Sequence, residues 1–133
     1  MSLQAVIAWP SEEPTVAVLT LCGEVNSETA SIMDQHVDAC LRRGGRVVID
    51  FSNTEYVSSS GWRGLIDRCS KSKPAAIAVA CMQPGVHDVY DLLGMKYVLR
   101  AFDTVRDAVA ALAAPVAPDT PAKAKNPSKA GAS

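Results

Sequence analysis

Val47-Val48-Ile49-Asp50-Phe51-Ser52-Asn53-Thr54-Glu55-Tyr56-Val57-Ser58-Ser59-Ser60-Gly61-Trp62 is the stretch from which the rest of the chain is read. With Arg46 in front of it, the run to Phe51 is β-branched and aromatic, and apolar enough for a strand covered on both faces. The polar residues Ser52 to Ser58 read as a loop. A helix then runs from about Ser59 to Ser72, with Trp62, Leu65, Ile66 and Cys69 at helical spacing on its apolar side. Pro74 closes it.

Strand, loop and helix repeat on both sides of this unit. Upstream, Leu3 to Trp9 and Thr15 to Leu21 are β-rich runs separated by Pro10-Ser11-Glu12-Glu13-Pro14, a hairpin-like connection. Gly23 ends the second run. Asn26 or Ser27 caps a helix that runs from Ser27 to Arg43, with Met33, Val37, Cys40 and Leu41 on its apolar face. Arg42 and Arg43 suit its last turn, and Gly44-Gly45 stops it. Downstream, Ala75 to Cys81 reads as a third buried strand and Pro84 to Leu93 as a helix followed by Gly94. Tyr97-Val98-Leu99 reads as a short edge strand, and Asp103 opens a last helix to about Ala113. Met82 and Met95 read as core filler. The order β-β-α-β-α-β-α-β-α predicts an α/β domain over residues 1–113, with a mixed, mostly parallel sheet of four or five strands and about four helices. Binding sites in such sheets lie at the carboxyl ends of the strands. Here those ends fall at Cys22 to Asn26, Ser52 to Ser60 and Met82 to His87. Residues 114–133 are rich in Pro, Ala, Lys and Ser and contain no aromatic residue, which predicts a disordered tail.

Composition narrows the function classes. The chain has 133 residues, is 48% hydrophobic and carries a formal net charge of −1. That length fits one domain. A nucleic-acid partner calls for a basic excess that is missing here. No apolar run approaches the roughly 20 residues that cross a bilayer, and Met1 to Pro10 has no signal-peptide pattern, so a cytoplasmic protein without membrane insertion is expected. Cys22, Cys40, Cys69 and Cys81 form no C-x-x-C pair and no zinc spacing, and read as free thiols. His36 and His87 do not cluster with them in sequence, so no metal is expected, and neither nucleotide-binding glycine pattern occurs, so no cofactor is expected. A serine hydrolase is disfavoured for want of Gly-x-Ser-x-Gly, and Ser59 could form a dyad with His36 or His87 only by an accident of the fold. The chain is expected not to be an enzyme.

The three serines are the feature that composition leaves unexplained. A helix start has up to four backbone N–H groups without intrahelical partners, and these together with the helix dipole favour an anion. A phosphate on a serine there adds about two negative charges to the surface and spares the core. Capping is the alternative role of Ser58 or Ser59, contributing roughly 1 kcal/mol. Trp62 fits either the core or an exposed anchor beside the serines.

Four segments together resemble the STAS domain of the anti-sigma factor antagonist (anti-anti-sigma) type. They are Gly23-Glu24-Val25-Asn26, Val47-Val48-Ile49-Asp50, Tyr56-Val57-Ser58-Ser59-Ser60-Gly61 and Leu92-Leu93-Gly94-Met95. The resemblance spans about Leu3 to Leu112. It implies a partner-switching module that binds an anti-sigma factor with serine kinase activity, is released when one serine is phosphorylated, and is restored by a phosphatase. The family segment Asp-Ser-x-Gly places that serine at Ser59, with Ser58 and Ser60 as the next candidates. Glu24, Asn26, Ser58, Ser60, Gly61, Trp62 and Arg63 are then expected to form the partner face. Two family carboxylates are missing, since Ser58 and Asn26 stand where Asp is usual. Their loss keeps open a second reading, a non-phosphorylated STAS subunit of an ABC-type lipid transporter. The oligomeric state, monomer or weak homodimer, is left open.

Overall fold

The computed structural model describes residues 3–9, 16–72 and 76–113. In chain order these form β1 (Gln4–Ala8), β2 (Val16–Val25), α1 (Ala30–Arg43), β3 (Arg46–Val57), α2 (Ser59–Lys71), β4 (Ile77–Ala80), α3 (Pro84–Leu92), a 3-10 turn (Met95–Tyr97), β5 (Arg100–Phe102) and α4 (Val105–Ala113). The strands make one sheet in the order β1-β2-β3-β4-β5. β1 is antiparallel to β2, and every other pairing is parallel.

This order explains the layering. Strands β2 to β5 are laid down in one direction, and right-handed crossovers between them place α1, α2 and α3 on the same face. Side chains alternate along each strand. Leu19, Leu21, Ile49, Phe51 and Val79 therefore meet those three helices in the main core. Val16, Val18, Val48, Ala78 and Ala80 turn to the other face, where Ala108 and Leu112 of α4 cover them. Both faces of the central strands are dry, which is why their sequences read as unbroken apolar runs.

Several boundaries differ from those read in the sequence. Ser52 to Ser58 is not a loop: β3 continues to Val57, and β2 runs through Gly23 to Val25. Pairing survives because β3 carries an extra residue twice, once between the pairs at Thr20 and Cys22 and again between those at Gly23 and Glu24. Such bulges bend a strand without ending it. Gly23 on β2 faces the second, at φ +120°. The buried Thr54 hydroxyl donates to the Leu21 carbonyl at 2.7 Å, and the Asp50 carboxylate accepts the Ser52 amide at 2.9 Å. The polar run hides a strand because this part of β3 is largely solvent-facing, with Thr54 and Val57 turned inward.

The first helix begins at Ala30 rather than Ser27, after a closed turn. Tyr97 to Leu99 is not the edge strand. Gly94, at φ +68°, turns the chain into the 3-10 turn, which buries Met95 and leads to Leu99, also buried, and β5 follows it. Thr104, not Asp103, caps the last helix, its hydroxyl accepting the Asp107 amide at 3.0 Å. The third buried strand is shorter than expected, at Ile77–Ala80. All four cysteines are unpaired; Cys40 is buried and the other three are half-buried. The Pro10 to Pro14 connection, Pro74 and the tail over 114–133 lie outside the described residues.

Candidate functional site

The carboxyl ends of β2 and β3 bring the two segments of interest together. Glu24 pairs with Tyr56 and Val25 with Val57. One residue later the Ser58 amide donates to the Val25 carbonyl at 2.7 Å, tying the start of α2 to the end of β2.

Ser58 is the N-cap of α2. Its backbone is extended, at φ −75° and ψ 168°, and its hydroxyl accepts the Gly61 amide at 3.3 Å. Its carbonyl accepts the first helical bond, from Trp62 N–H at 3.1 Å. Of the orphan amides at this helix start, those of Ser58 and Gly61 are thus satisfied. The side chains of Ser59 and Ser60 are both exposed.

Beneath them the first turn is pressed onto the sheet. A Cβ on Gly61 would lie 2.8 Å from Val25 Cγ1 and 2.9 Å from Val57 Cγ1, so any side chain there forces the helix away from the strands. Trp62 is 0% exposed. Its ring meets those of Phe51 and Tyr90 edge-on, with centroids 5.7 Å and 5.8 Å away. Expected on the contact face, Trp62 is instead the floor of the site. Gly61 is buried as well, so neither residue offers a side-chain surface to a partner. Arg63 is exposed, and so is Tyr56, which the sequence reading did not place on the face. Its signal is the strand period: once β3 is followed to Val57, Tyr56 points away from the core.

The neighbouring turn is closed. Asn26 Oδ1 accepts the amides of Glu28 at 2.8 Å and Thr29 at 3.0 Å. The Asn26 amide donates to the Thr29 hydroxyl at 2.9 Å, and that hydroxyl donates to the Glu24 carbonyl at 2.7 Å. The turn asks only for an acceptor oxygen at position 26, which Asn supplies as well as Asp. The same holds for Ser58, since Ser and Asp are comparable N-caps. Both departures from the family pattern keep the backbone and remove only charge.

On its far side α2 is clamped to α1. Arg68 grips Asp38 with two bonds, Nε to Oδ1 at 3.0 Å and Nη2 to Oδ2 at 3.1 Å, and its Nη1 reaches the Gly64 carbonyl at 3.3 Å. Asp34 lies against Gly64, where a Cβ would fall 2.5 Å from Oδ1. That oxygen is buried and has no hydrogen-bond partner among the described residues. Burial pushes the Asp34 carboxyl above its ordinary value, an effect the Arg68 guanidinium opposes. Helix α2 is thus fixed at its start by Gly61 and Trp62 and along its length by Arg68.

Among the described residues no group of three or more His, Cys, Asp or Glu side chains is placed to hold a metal ion. His87 is engaged with Asp91 one turn along α3, at 3.1 Å. No helix of the described residues is long and apolar enough to cross a membrane.

Residues 10–108 match the STAS domain family. No curated protein is significantly similar in sequence. An anti-sigma factor antagonist from Mycobacterium paratuberculosis has a similar structure, at TM-score 0.72 and 23% identity, over 84% of this chain and 94% of that one. The anti-sigma factor antagonist SpoIIAA matches in its unphosphorylated form at TM-score 0.67 and 14% identity, over 86% and 100% of the chains. Its phosphorylated form, described as a Bacillus cell fate determinant, matches at TM-score 0.57 and 13% identity, over 82% and 99%. A sulfate transporter family protein from Wolinella succinogenes matches at TM-score 0.60 and 14% identity, over 73% and 84%. At these identities the likeness is one of fold.

Proposed function

The chain belongs to the STAS domain family, and from that premise we propose that it is a non-catalytic, cytoplasmic anti-sigma factor antagonist that switches partners through Ser59. In this reading it binds an anti-sigma factor with serine kinase activity through the α2 start and the adjacent turn. Phosphorylation of Ser59 releases it, and a phosphatase restores binding.

The observation that favours this reading is the division of labour among the serines. The Ser58 hydroxyl is committed to the Gly61 amide. Ser59 is exposed on a turn held from below by Gly61 and Trp62. A phosphoryl group on Ser59 adds roughly two negative charges at a helix start, where the helix dipole tolerates them. The core stays as it is while the surface a partner meets is transformed. Ser60 is exposed too and is the next candidate; modifying Ser58 would sacrifice the cap. The partner face is then made of Glu24, Asn26, Ser58, Ser60 and Arg63 around Ser59, with Tyr56 at its border.

Calorimetric titration of the chain against its cognate kinase tests this. Ser59→Asp is expected to weaken binding at least about tenfold, the equivalent of ~1.4 kcal/mol. Ser59→Ala should bind in a way that ATP no longer disperses. Equal affinities for both variants would sink the proposal. The missing carboxylates at Ser58 and Asn26 favour one second reading, a permanent, unphosphorylated subunit of an ABC-type lipid transporter. Recovery from native cells with a transporter ATPase in fixed ratio would support that instead.

A further inference from the structure

The sheet ends in two edge strands that differ in chemistry. β5 has three residues and opens on the exposed Arg100, whose guanidinium lies 5.0 Å from the Phe102 ring. A short edge with a charge on it discourages pairing with another chain. β1 has neither protection. Its sequence Gln4-Ala5-Val6-Ile7-Ala8 contains no charge and no proline, and among the described residues all five pair with β2 alone, on one side. Val6 is 61% exposed and Ile7 37%. Val6 stands on the α4 face opposite Thr20, beyond the reach of the α4 core, which includes Val16 and Val18 but not Val6. A row of unpaired backbone N–H and C=O groups flanked by apolar side chains is a template for another strand.

We infer that β1 docks against β1 of a second copy of this chain, antiparallel, extending the two sheets into one. The sequence is self-complementary for this. With a two-fold axis through Val6, that residue meets Val6 of the second copy, Ala5 meets Ile7, and Gln4 meets Ala8. No charged residue meets another in that register, so both copies contribute the same patch without repulsion, as a two-fold contact requires. A five-residue strand pair buries less than the ~1,200 Å² of a standard stable interface, so the dimer is a weak one that exchanges. Neither Ser59 nor the Asn26 turn lies on β1, so each dimer carries two copies of the proposed partner face. The inference does not depend on what that face binds.

Sedimentation equilibrium of the full chain tests it, from about 5 µM to about 500 µM, the range in which a sub-standard interface registers. The weight-average mass should climb toward that of a dimer, and amide exchange over residues 4–8 should slow as concentration rises. Val6→Lys sets like charges face to face and should raise the dissociation constant at least tenfold with an unchanged melting temperature, because Val6 is exposed. A double variant of the other exposed apolar corner, Leu92→Ser with Tyr97→Ser, should associate like the wild type. A wild-type chain that stays monomeric throughout overturns the inference. So does Val6→Lys associating as well as wild type, or loss of association in the Leu92/Tyr97 variant alone.

Discussion

Helices α1 and α2 begin beside each other at the carboxyl end of the sheet, and their first turns are built in opposite ways. The turn before α1 is turned inward: Asn26 and the buried Thr29 satisfy one another and the Glu24 carbonyl through three bonds, and Asn26 accepts a fourth from the Glu28 amide, all of 2.7 to 3.0 Å. The start of α2 spends one hydroxyl, that of Ser58, and leaves those of Ser59 and Ser60 facing solvent. A closed polar turn is architecture, because each group in it is needed where it is. An open one on a rigid base is where charge can be added without an effect on folding.

The contrast can be broken at the base first. Trp62→Ala removes the ring wedged between Phe51 and Tyr90 and should cost about 3–5 kcal/mol in denaturant unfolding, the range for truncating a buried tryptophan and leaving a cavity. A loss below ~1 kcal/mol would mean that the α2 start does not rest on this ring. Gly61→Ala should cost roughly 1–3 kcal/mol through its clash with Val25 and Val57. The closed turn comes next. Thr29→Val leaves the Glu24 carbonyl and the Asn26 amide without their partner and should cost about 1–3 kcal/mol. In the open turn, Ser58→Ala should cost ~1 kcal/mol, whereas Ser58→Asp should be close to neutral because it caps equally well. Ser59→Ala should stay within ~0.5 kcal/mol of wild type by the same measurement. If Ser59→Ala proved as costly as Thr29→Val, the distinction between the two turns would be lost.

The clamp behind α2 gives an effect that depends on pH. The Asp34 carboxyl is raised by burial in the folded chain. A raised folded-state value means that protonation favours the fold. The associated stability is therefore fully present below the ordinary carboxylate value of 3.8 and is lost as pH rises through the folded value. Asp34→Asn cannot titrate, so its stability relative to wild type should improve as pH rises across that window. Urea titrations of both proteins at pH 3.5 and pH 7 read the difference, and a flat difference would refute this assignment.

The parts legible in the sequence are those with a strong period. The apolar runs of β2, β3 and β4, and the three-to-four spacing in α1 and α2, gave the layered α/β fold, and the four family segments gave its class. What escaped did so for local physical reasons. The far half of β3 looks like a loop because Ser52, Asn53, Glu55 and Tyr56 face solvent. Its continuity rests on two bulges, a glycine at positive φ and the Thr54 hydroxyl, and no periodicity announces these. Trp62 was ambiguous because one helical spacing serves both a core residue and an anchor; only the position of Phe51 and Tyr90 around it settles which it is. The edge strand was read too early because the turn at Gly94 displaces it past Leu99. The missing carboxylates at Asn26 and Ser58 read in sequence as lost charge, and the turn and cap that these residues form bear that reading out. In the fold they are changes of charge on an intact backbone.

Ser59 is the residue we propose to be modified, and its phosphorylation can be read on a single peptide. The chain would be taken from the cells that make it with phosphatases inhibited, cut with trypsin, and the peptide from Val47 to Arg63 sequenced by mass spectrometry. A partly occupied phosphate on Ser59 is expected, at a level that changes with growth condition. A peptide unmodified in every condition, or one phosphorylated on Ser58 with Ser59 untouched, would contradict it.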